Sequence, residues 1–451
     1  MRSPLLRLTL LGGLTLGVSA CSWSRFDDLT ASAPVVLLEK PDSLNNGFGV
    51  SLATATNGGR SQVLVGGTVS TTGAALYEIG QEDAPNTSAI DTNYCSGANG
   101  KPCFLSSLIA GFANAQGPDQ LHSLCYAVGT GEVVKQGLVM RCQDHSQYSL
   151  DMPPPAQQLL AMSIAQNQAP HDYPLATDRT DDPTLLASLP DLRLAWFYPE
   201  RSTTLGELQL PDGMQVDDPS FGRSLAVLAV AGGRVLAIGV SGLSQVLLWK
   251  TEGDASAHYI GCLGGHSGMG RALAAGRVNA DANDDLVISD SNQVRAIDGA
   301  ALFQLSETTS TECDLAPSDL AGTLGPWECG STTSDVSGCE SSDFGAALAV
   351  GDLDGDGDGE VIVGAPRMSV RGQEKAGALL VYDAETAGGS APVDVRFMSS
   401  AENGDELGRS IVAPHAGKRD IIAAGAPGHG KAALFYCSSL IPHGAAGSRC
   451  P

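Results

Sequence analysis

Positive charge is scarce in this chain. Its 451 residues include 26 Lys+Arg against 50 Asp+Glu, a formal net charge of −24 with histidines neutral. A protein that grips phosphate backbones relies on clustered cations and counterion release, so nucleic acid is not an expected partner. Direct adsorption to an anionic membrane surface is disfavoured for the same reason. Aromatic residues make up only 5% of the chain and charged residues 17%. No long stretch keeps apolar residues at 3.6 spacing between caps, which argues against a helix-rich fold. Catalytic signatures are missing as well. The eight histidines form no HExxH, and the nearest approach to GxSxG, Gly265-His266-Ser267-Gly268-Met269, lacks the final glycine. His171-Asp172 and Asp144-His145 are adjacent pairs of the kind loops contain by chance. With no CxxC pair and no HxxxH spacing, a zinc signature is missing too. No catalytic residue is therefore assigned, although an active site drawn from several loops leaves no local motif.

What the chain has in quantity is glycine and proline, 55 and 24 residues, with 43% hydrophobic residues. That composition describes a globular, turn-rich protein with a large core. Residues 1–20 carry Arg2 and Arg7, then an apolar run, then small residues before Cys21, the order of a secretory signal. The run is shorter than the ~20 residues a membrane span needs, and glycines interrupt it. Val18-Ser19-Ala20-Cys21 resembles the bacterial lipobox, which implies a lipid on Cys21 as the new N-terminus. Ser22 rather than aspartate then implies an outer-membrane lipoprotein, periplasmic or surface-exposed, held to the membrane through its lipid alone. Lipidation of Cys21 leaves ten cysteines, an even number that reads as disulfides in an oxidising compartment. Close spacing pairs Cys95 with Cys103, Cys125 with Cys142 and Cys437 with Cys450. Cys262, Cys313, Cys329 and Cys339 allow three connectivities.

Five segments share one grammar of three short apolar strands. The clearest begins at Asp343-Phe344-Gly345, passes an acidic loop, continues through Val361-Ile362-Val363-Gly364-Ala365-Pro366 and ends at Gly377-Ala378-Leu379-Leu380-Val381-Tyr382. The others open at Phe48-Gly49, Phe221-Gly222, Met269-Gly270 and Leu407-Gly408, and the last contains Gly425-Ala426-Pro427. The spacing from Phe48 to Phe221 is 173 residues, against 48, 75 and 63 for the following steps. A repeat of about 60 residues therefore leaves two units hidden in the first gap. Leu124–Val128 with Leu138–Cys142, and Leu192–Tyr198 after Thr184–Leu186, are the candidates, giving seven units. The run Ala33–Glu39 precedes the first unit and is free to supply an outer strand to the last.

The sharpest chemical motif is Asp352-Leu353-Asp354-Gly355-Asp356-Gly357-Asp358-Gly359-Glu360. Carboxylates at loop positions 1, 3, 5 and 9, with glycine at 6, let several oxygens converge on one hard cation, and calcium takes six to eight oxygens in flexible geometry. An EF-hand is excluded, because position 12 is Val363 and strands flank the loop. The loop Arg277–Asp285 aligns with it but has Arg277 for the first acid and Ala282 for the glycine. Asn279, Asp281, Asn283 and Asp285 are its poorer set of ligands. A vestigial site is expected there, with Arg277 standing in for the metal.

The five units resemble the FG-GAP repeat of the integrin α-chain N-terminal domain, a family of β-propellers with one four-stranded blade per repeat. Phe344-Gly345 with Gly364-Ala365-Pro366 carries both named elements. The resemblance implies an all-β, seven-bladed propeller over residues 32–451, tethered by 21–31, with no length left for an accessory catalytic domain. It also implies structural calcium in the acidic loop, held by Asp352, Asp354, Asp356 and Glu360 side chains and the Asp358 carbonyl. The function it implies is binding of protein or glycan partners, in adhesion or as scaffold of an envelope complex. The alternative is a propeller hydrolase or lyase acting on polysaccharide or lipid. Insertions at 81–104 and 304–342 are candidate recognition loops. In the second, Trp327 is either an exposed binding anchor or a cover for a blade's side. Pro153-Pro154-Pro155 is expected as a stiff connector between the second and third blades.

Overall fold

The computed structural model describes residues 35–38, 40, 47–57, 60–66, 74–80, 87–91, 105–109, 125–128, 137–142, 147–151, 174–178, 180, 184–199, 205–279, 281–330, 334–384 and 391–436. The signal segment, Cys21, the 21–31 tether, Pro153–Pro155 and the pairs Cys95/Cys103 and Cys437/Cys450 lie outside them. Strand β1 (Val35–Leu38) precedes the first blade. Blade one is β2 (Ser51–Asn57), β3 (Arg60–Gly66), β4 (Ala74–Ile79) and β5 (Thr87–Asp91). Blade two is β6 (Leu105–Ile109), β7 (Cys125–Val128), β8 (Gly137–Cys142) and β9 (Gln147–Asp151). Blade three is β10 (Leu175–Thr177), β11 (Leu185–Leu189), β12 (Leu194–Tyr198) and β13 (Gly206–Glu207). Blade four is β14 (Leu225–Val230), β15 (Gly233–Val240), β16 (Gln245–Thr251) and β17 (His258–Leu263). Blade five is β18 (Leu273–Gly276), β19 (Asp285–Ser289), β20 (Gln293–Ile297) and, after the short helix α1 (Gly299–Phe303), β21 (Leu324–Glu328). A two-stranded ribbon of β22 (Val336–Ser337) and β25 (Ser369–Val370) decorates blade six, which is β23 (Leu348–Gly351), β24 (Glu360–Ala365), β26 (Ala378–Tyr382) and β27 (Asp394–Arg396). Blade seven is β28 (Ser410–Val412), β29 (Ile422–Ala426) and β30 (Lys431–Phe435), completed by β1.

These are seven four-stranded antiparallel sheets, and their first strands adjoin in the cyclic order β2, β6, β10, β14, β18, β23, β28 and back to β2. The protein is a seven-bladed β-propeller. The two hidden units are blades two and three, and the strand ahead of the first repeat closes the ring. β1 pairs antiparallel with β30, from Val35 opposite Phe435 to Leu38 opposite Ala432. Apolar clusters fill the gaps between blades rather than one central mass, for instance Val294, Trp327, Phe344 and Tyr382 between blades five and six. Near-continuous apolar strands such as VLAIGV in β15 follow from burial on both faces.

The opening dipeptide of each repeat has one structural job in all five. Phe48, Phe221, Met269, Phe344 and Leu407 are buried. The N–H of the following glycine donates to a carbonyl near the end of strand two: Gly49 to Gly66 (3.0 Å), Gly222 to Gly239 (2.9 Å), Gly270 to Ser289 (3.1 Å), Gly345 to Gly364 (2.9 Å) and Gly408 to Gly425 (3.0 Å). Serines of the preceding blade cap the same glycines' carbonyls, Ser188 Oγ on Gly222 O (2.6 Å), Ser224 Oγ on Gly270 O (2.5 Å) and Ser410 Oγ on Gly49 O (2.7 Å). Each such bond satisfies a backbone acceptor that strand pairing leaves over. The last of them spans the seam between blades seven and one.

The four cysteines whose pairing the spacing left open form Cys262–Cys313 and Cys329–Cys339. The first fastens the 304–323 insertion of blade five back on to blade four. There Leu315 bridges Leu263 in parallel, and Gly264 N–H donates to Leu315 O (3.0 Å). The strand register sets Cys125 directly opposite Cys142. Trp327, at 2% exposure, belongs to the outer strand of blade five, its ring 6.0 Å from that of Tyr382. Of its two expected roles it takes the cover, and it is unavailable as a surface anchor. Its large apolar ring contributes more to free energy between two blades than in water.

Candidate metal centre

The acidic loop joins β23 to β24, where Gly351 pairs with Glu360 at the mouth of the hairpin. It winds tightly because its own carboxylates collect its N–H groups. Asp352 Oδ1 accepts from Gly355 N (2.6 Å) and Oδ2 from Gly357 N (3.2 Å); Asp354 Oδ1 accepts from Asp356 N (3.2 Å) and Asp356 Oδ1 from Asp358 N (3.0 Å). Gly355 and Gly357 turn the chain at φ of 83° and 104°, a region a side chain would make costly. The result brings one oxygen each from Asp352, Asp354 and Asp356 within 4.8 Å of one another.

Glu360 stands behind this group, 4% exposed, with Oε2 accepting the Leu353 N–H at 2.7 Å. Burial, then the charges of Asp354, Asp356 and Asp352, push its carboxyl up to about 9 against the pull of that N–H. Asp352 and Asp354 are raised too, first by burial; the Asp420 charge adds to the rise of Asp352 and the Asp356 charge to that of Asp354. A site whose carboxylates resist being charged together is one that a bound cation relieves. The donor set is all oxygen, which suits a hard cation such as calcium. Of the five expected ligands, the three aspartates at positions 1, 3 and 5 converge, Glu360 is turned to the Leu353 N–H, and Asp358 donates its own N–H to the loop.

The neighbouring blades hold the loop from both sides. Gly359 N–H donates to Arg277 O in blade five (2.6 Å). On the other side Asp420 N–H donates to Asp352 O (2.7 Å), while Asp420 Oδ2 accepts from Asp352 N (3.1 Å). Blades four and five repeat this clasp, with Asp284 N–H on Ala229 O (2.9 Å) and Ala229 N–H on Asp284 Oδ2 (2.9 Å). Asp420 is thus a neighbour of the centre that the short loop Ala416-Gly417-Lys418-Arg419 concealed. The available signal was an acid one or two residues before strand two, shared by Asp284 and Asp420.

The second loop closes without converging its oxygens. Asp285, which pairs with Gly276 as Glu360 pairs with Gly351, accepts Val278 N (3.0 Å) and Asn279 N (3.2 Å) on Oδ2 and Gly299 N (3.1 Å) on Oδ1. Burial pushes its carboxyl up to about 7 despite those N–H bonds. Asn279 Oδ1 accepts Asp281 N (3.0 Å), Asp281 Oδ1 accepts Asn283 N (2.7 Å), and Asn283 Oδ1 accepts Ala231 N of blade four (2.8 Å). Among the described residues these four form no metal-type cluster. Arg277, expected to stand in for the metal, is exposed and makes no ion pair among the described residues, and its carbonyl accepts the Gly359 N–H of the neighbouring loop. Asp281→Ala is expected to shift the denaturation midpoint by no more than about 1 kcal/mol, with or without calcium, because it removes one partly exposed acceptor. A calcium-dependent change in that variant would overturn the vestigial assignment.

Residues 344–382 match the family model described as FG-GAP repeat. No curated protein matches the chain. Among solved structures, the chain is similar to selenomethionine-substituted virginiamycin B lyase from Staphylococcus aureus, at 9% identity, TM-score 0.45, covering 89% of this chain and 97% of that one. It is also similar to AofleA from Arthrobotrys oligospora, at 8% identity, TM-score 0.39, covering 82% and 90%.

Proposed function

We propose that this FG-GAP-containing propeller is a lipid-anchored protein of the bacterial outer membrane, a rigid platform that binds protein or glycan partners in adhesion or in an envelope complex. The observation that carries the structural half of this reading is the convergence of Asp352, Asp354 and Asp356 in a loop clasped by both neighbouring blades. Their oxygens would hold one calcium ion, whose charge offsets the mutual repulsion of the carboxylates and stiffens that sector of the ring. Lipidation at Cys21 rests on the sequence alone. Two disulfides agree with an oxidising compartment, and among the described residues no helix is long and apolar enough to cross a membrane.

Calcium at a hundredfold over its Kd is expected to stabilise the wild type by about 2.7 kcal/mol, read as a rise in Tm over an EDTA control. The double variant Asp354→Ala, Asp356→Ala should lose that rise. An unchanged rise in the variant would sink the ion site while leaving the propeller intact. The binding half is tested by capture from envelope extracts and on glycan arrays, in calcium and in EDTA, with each bound species identified and its affinity measured on the pure protein. Absence of any reproducible partner in both conditions would count against the platform reading.

A further inference from the structure

We infer that the propeller sits with the face carrying its strand-one to strand-two hairpins toward the bilayer, the acidic loop included, and turns its opposite face away. This rests on the lipid-anchor reading above; the exit direction of the chain rests on strand geometry alone. The argument begins at β1. It is the outermost strand of blade seven and runs antiparallel to β30, with Val35 opposite Phe435. Phe435 in turn lies opposite Ile422, the first residue of β29, and Val412 near the end of β28 lies opposite Ala423. Val35 therefore lies at the end of the blade where residues 413–421 turn from β28 into β29. At the other end of the same sheet Leu38 faces Ala432, and Ala426 faces Lys431.

The same end of the neighbouring blade carries the acidic loop. Gly351 and Glu360 close its hairpin, and the mutual bonds between Asp352 and Asp420 tie it directly to the 413–421 turn. Chain entering from the N-terminal side thus reaches the fold beside the 413–421 turn and the 352–360 loop, at the rim of one face. Val35 lies fourteen positions after Cys21, a span that at full extension reaches no further than about 50 Å. A lipid at Cys21 holds that rim near the headgroups, whereas the ribbon of β22 and β25, together with Lys375 and Leu243, belongs to loops at the opposite ends of the strands.

Two native lysines report the two faces. Lys418 is exposed in the 413–421 turn, and Lys375 is exposed in the β25 to β26 connection, whose carbonyl receives the Glu406 N–H at the other face. The lipidated protein is bound to zwitterionic phosphatidylcholine–phosphatidylethanolamine vesicles, treated with a membrane-impermeant amine reagent, and compared by mass spectrometry with the unanchored Cys21→Ser form. Labelling of Lys418 is expected to fall severalfold on the vesicles while that of Lys375 stays unchanged. Protection of Lys375, or equal protection of both, would overturn the orientation. Flotation of the lipidated protein reports the anchor separately. If it fails to float, the anchor reading falls, and the exit face is still measured with the mature chain carrying a polyhistidine tag in place of Cys21 on nickel-chelating vesicles. There too, protection of Lys418 alone supports the inference and any other pattern refutes it.

Discussion

Gly425→Ala is expected to destabilise the propeller by about 3 kcal/mol or more, through overpacking at the ring's closing seam. Gly425 lies in β29, and a Cβ there would overlap the carbonyl oxygen of Gly49 and crowd Ser410 Oγ. The obstruction is backbone on one side and a hydrogen-bonded serine on the other, so neither yields by changing a rotamer. Gly49 cannot retreat, since it holds φ of +89° and is itself packed against the carbonyl of Lys431. The only relief is separation of blade seven from blade one. That seam already depends on β1, a four-residue strand that pairs with β30 and buries Leu38 in the adjoining core, and on the Ser410 bond to Gly49. Ser410→Ala removes that single bond without adding bulk and should cost only about 1 kcal/mol. The pair of variants separates steric from polar contributions. Both are read as denaturant midpoints at constant m-value. A Gly425→Ala protein no less stable than Ser410→Ala would mean that the blades are not in close backbone contact there.

Removing the Cys262–Cys313 disulfide by double substitution to alanine should cost about 4 kcal/mol, the loop-closure entropy for its sequence separation of 51. The Cys329–Cys339 bond, with a separation of 10, should contribute less, about 3 kcal/mol. The larger effect has a local signature as well. Residues 304–316 are mostly exposed, and their attachment to blade four consists of the disulfide, the Leu263–Leu315 bridge and bonds such as Thr308 N–H to Tyr259 O (3.1 Å). With so few buried apolar contacts, the segment should open first once the covalent link is gone. Limited proteolysis of the Cys262→Ala, Cys313→Ala protein is expected to cut between 304 and 316 before any other described loop. Unchanged stability together with an unchanged cleavage pattern would show that the bond does not constrain this strap.

The repeats were legible because each blade's grammar is local. A buried residue, a glycine whose N–H returns to strand two, and three apolar runs bounded by turns recur within about sixty residues. The Met269 and Leu407 units kept this pattern without the phenylalanine, since what the site requires is apolar bulk beside a glycine. The acidic loop was legible for the same reason, as its aspartates bond to N–H groups two to five residues away. By itself, then, the sequence determined the all-β class, the blade number and the position of the acidic loop whose aspartates converge. Only the tertiary structure decided which cysteines pair, that Trp327 is sealed between two blades, that Glu360 turns to the Leu353 N–H, and that Asp420 reaches the acidic loop from the next blade. It also decided the fate of the second loop, whose Asn283 and Asp284 are occupied by N–H groups of blade four. Most of the division follows from chain separation. Contacts within a blade join residues close in the chain and leave a periodic trace, whereas Cys262 with Cys313 and Asp352 with Asp420 join residues 51 and 68 positions apart and are fixed only when the blades come together; the Glu360–Leu353 and Cys329–Cys339 contacts are the short-range exceptions.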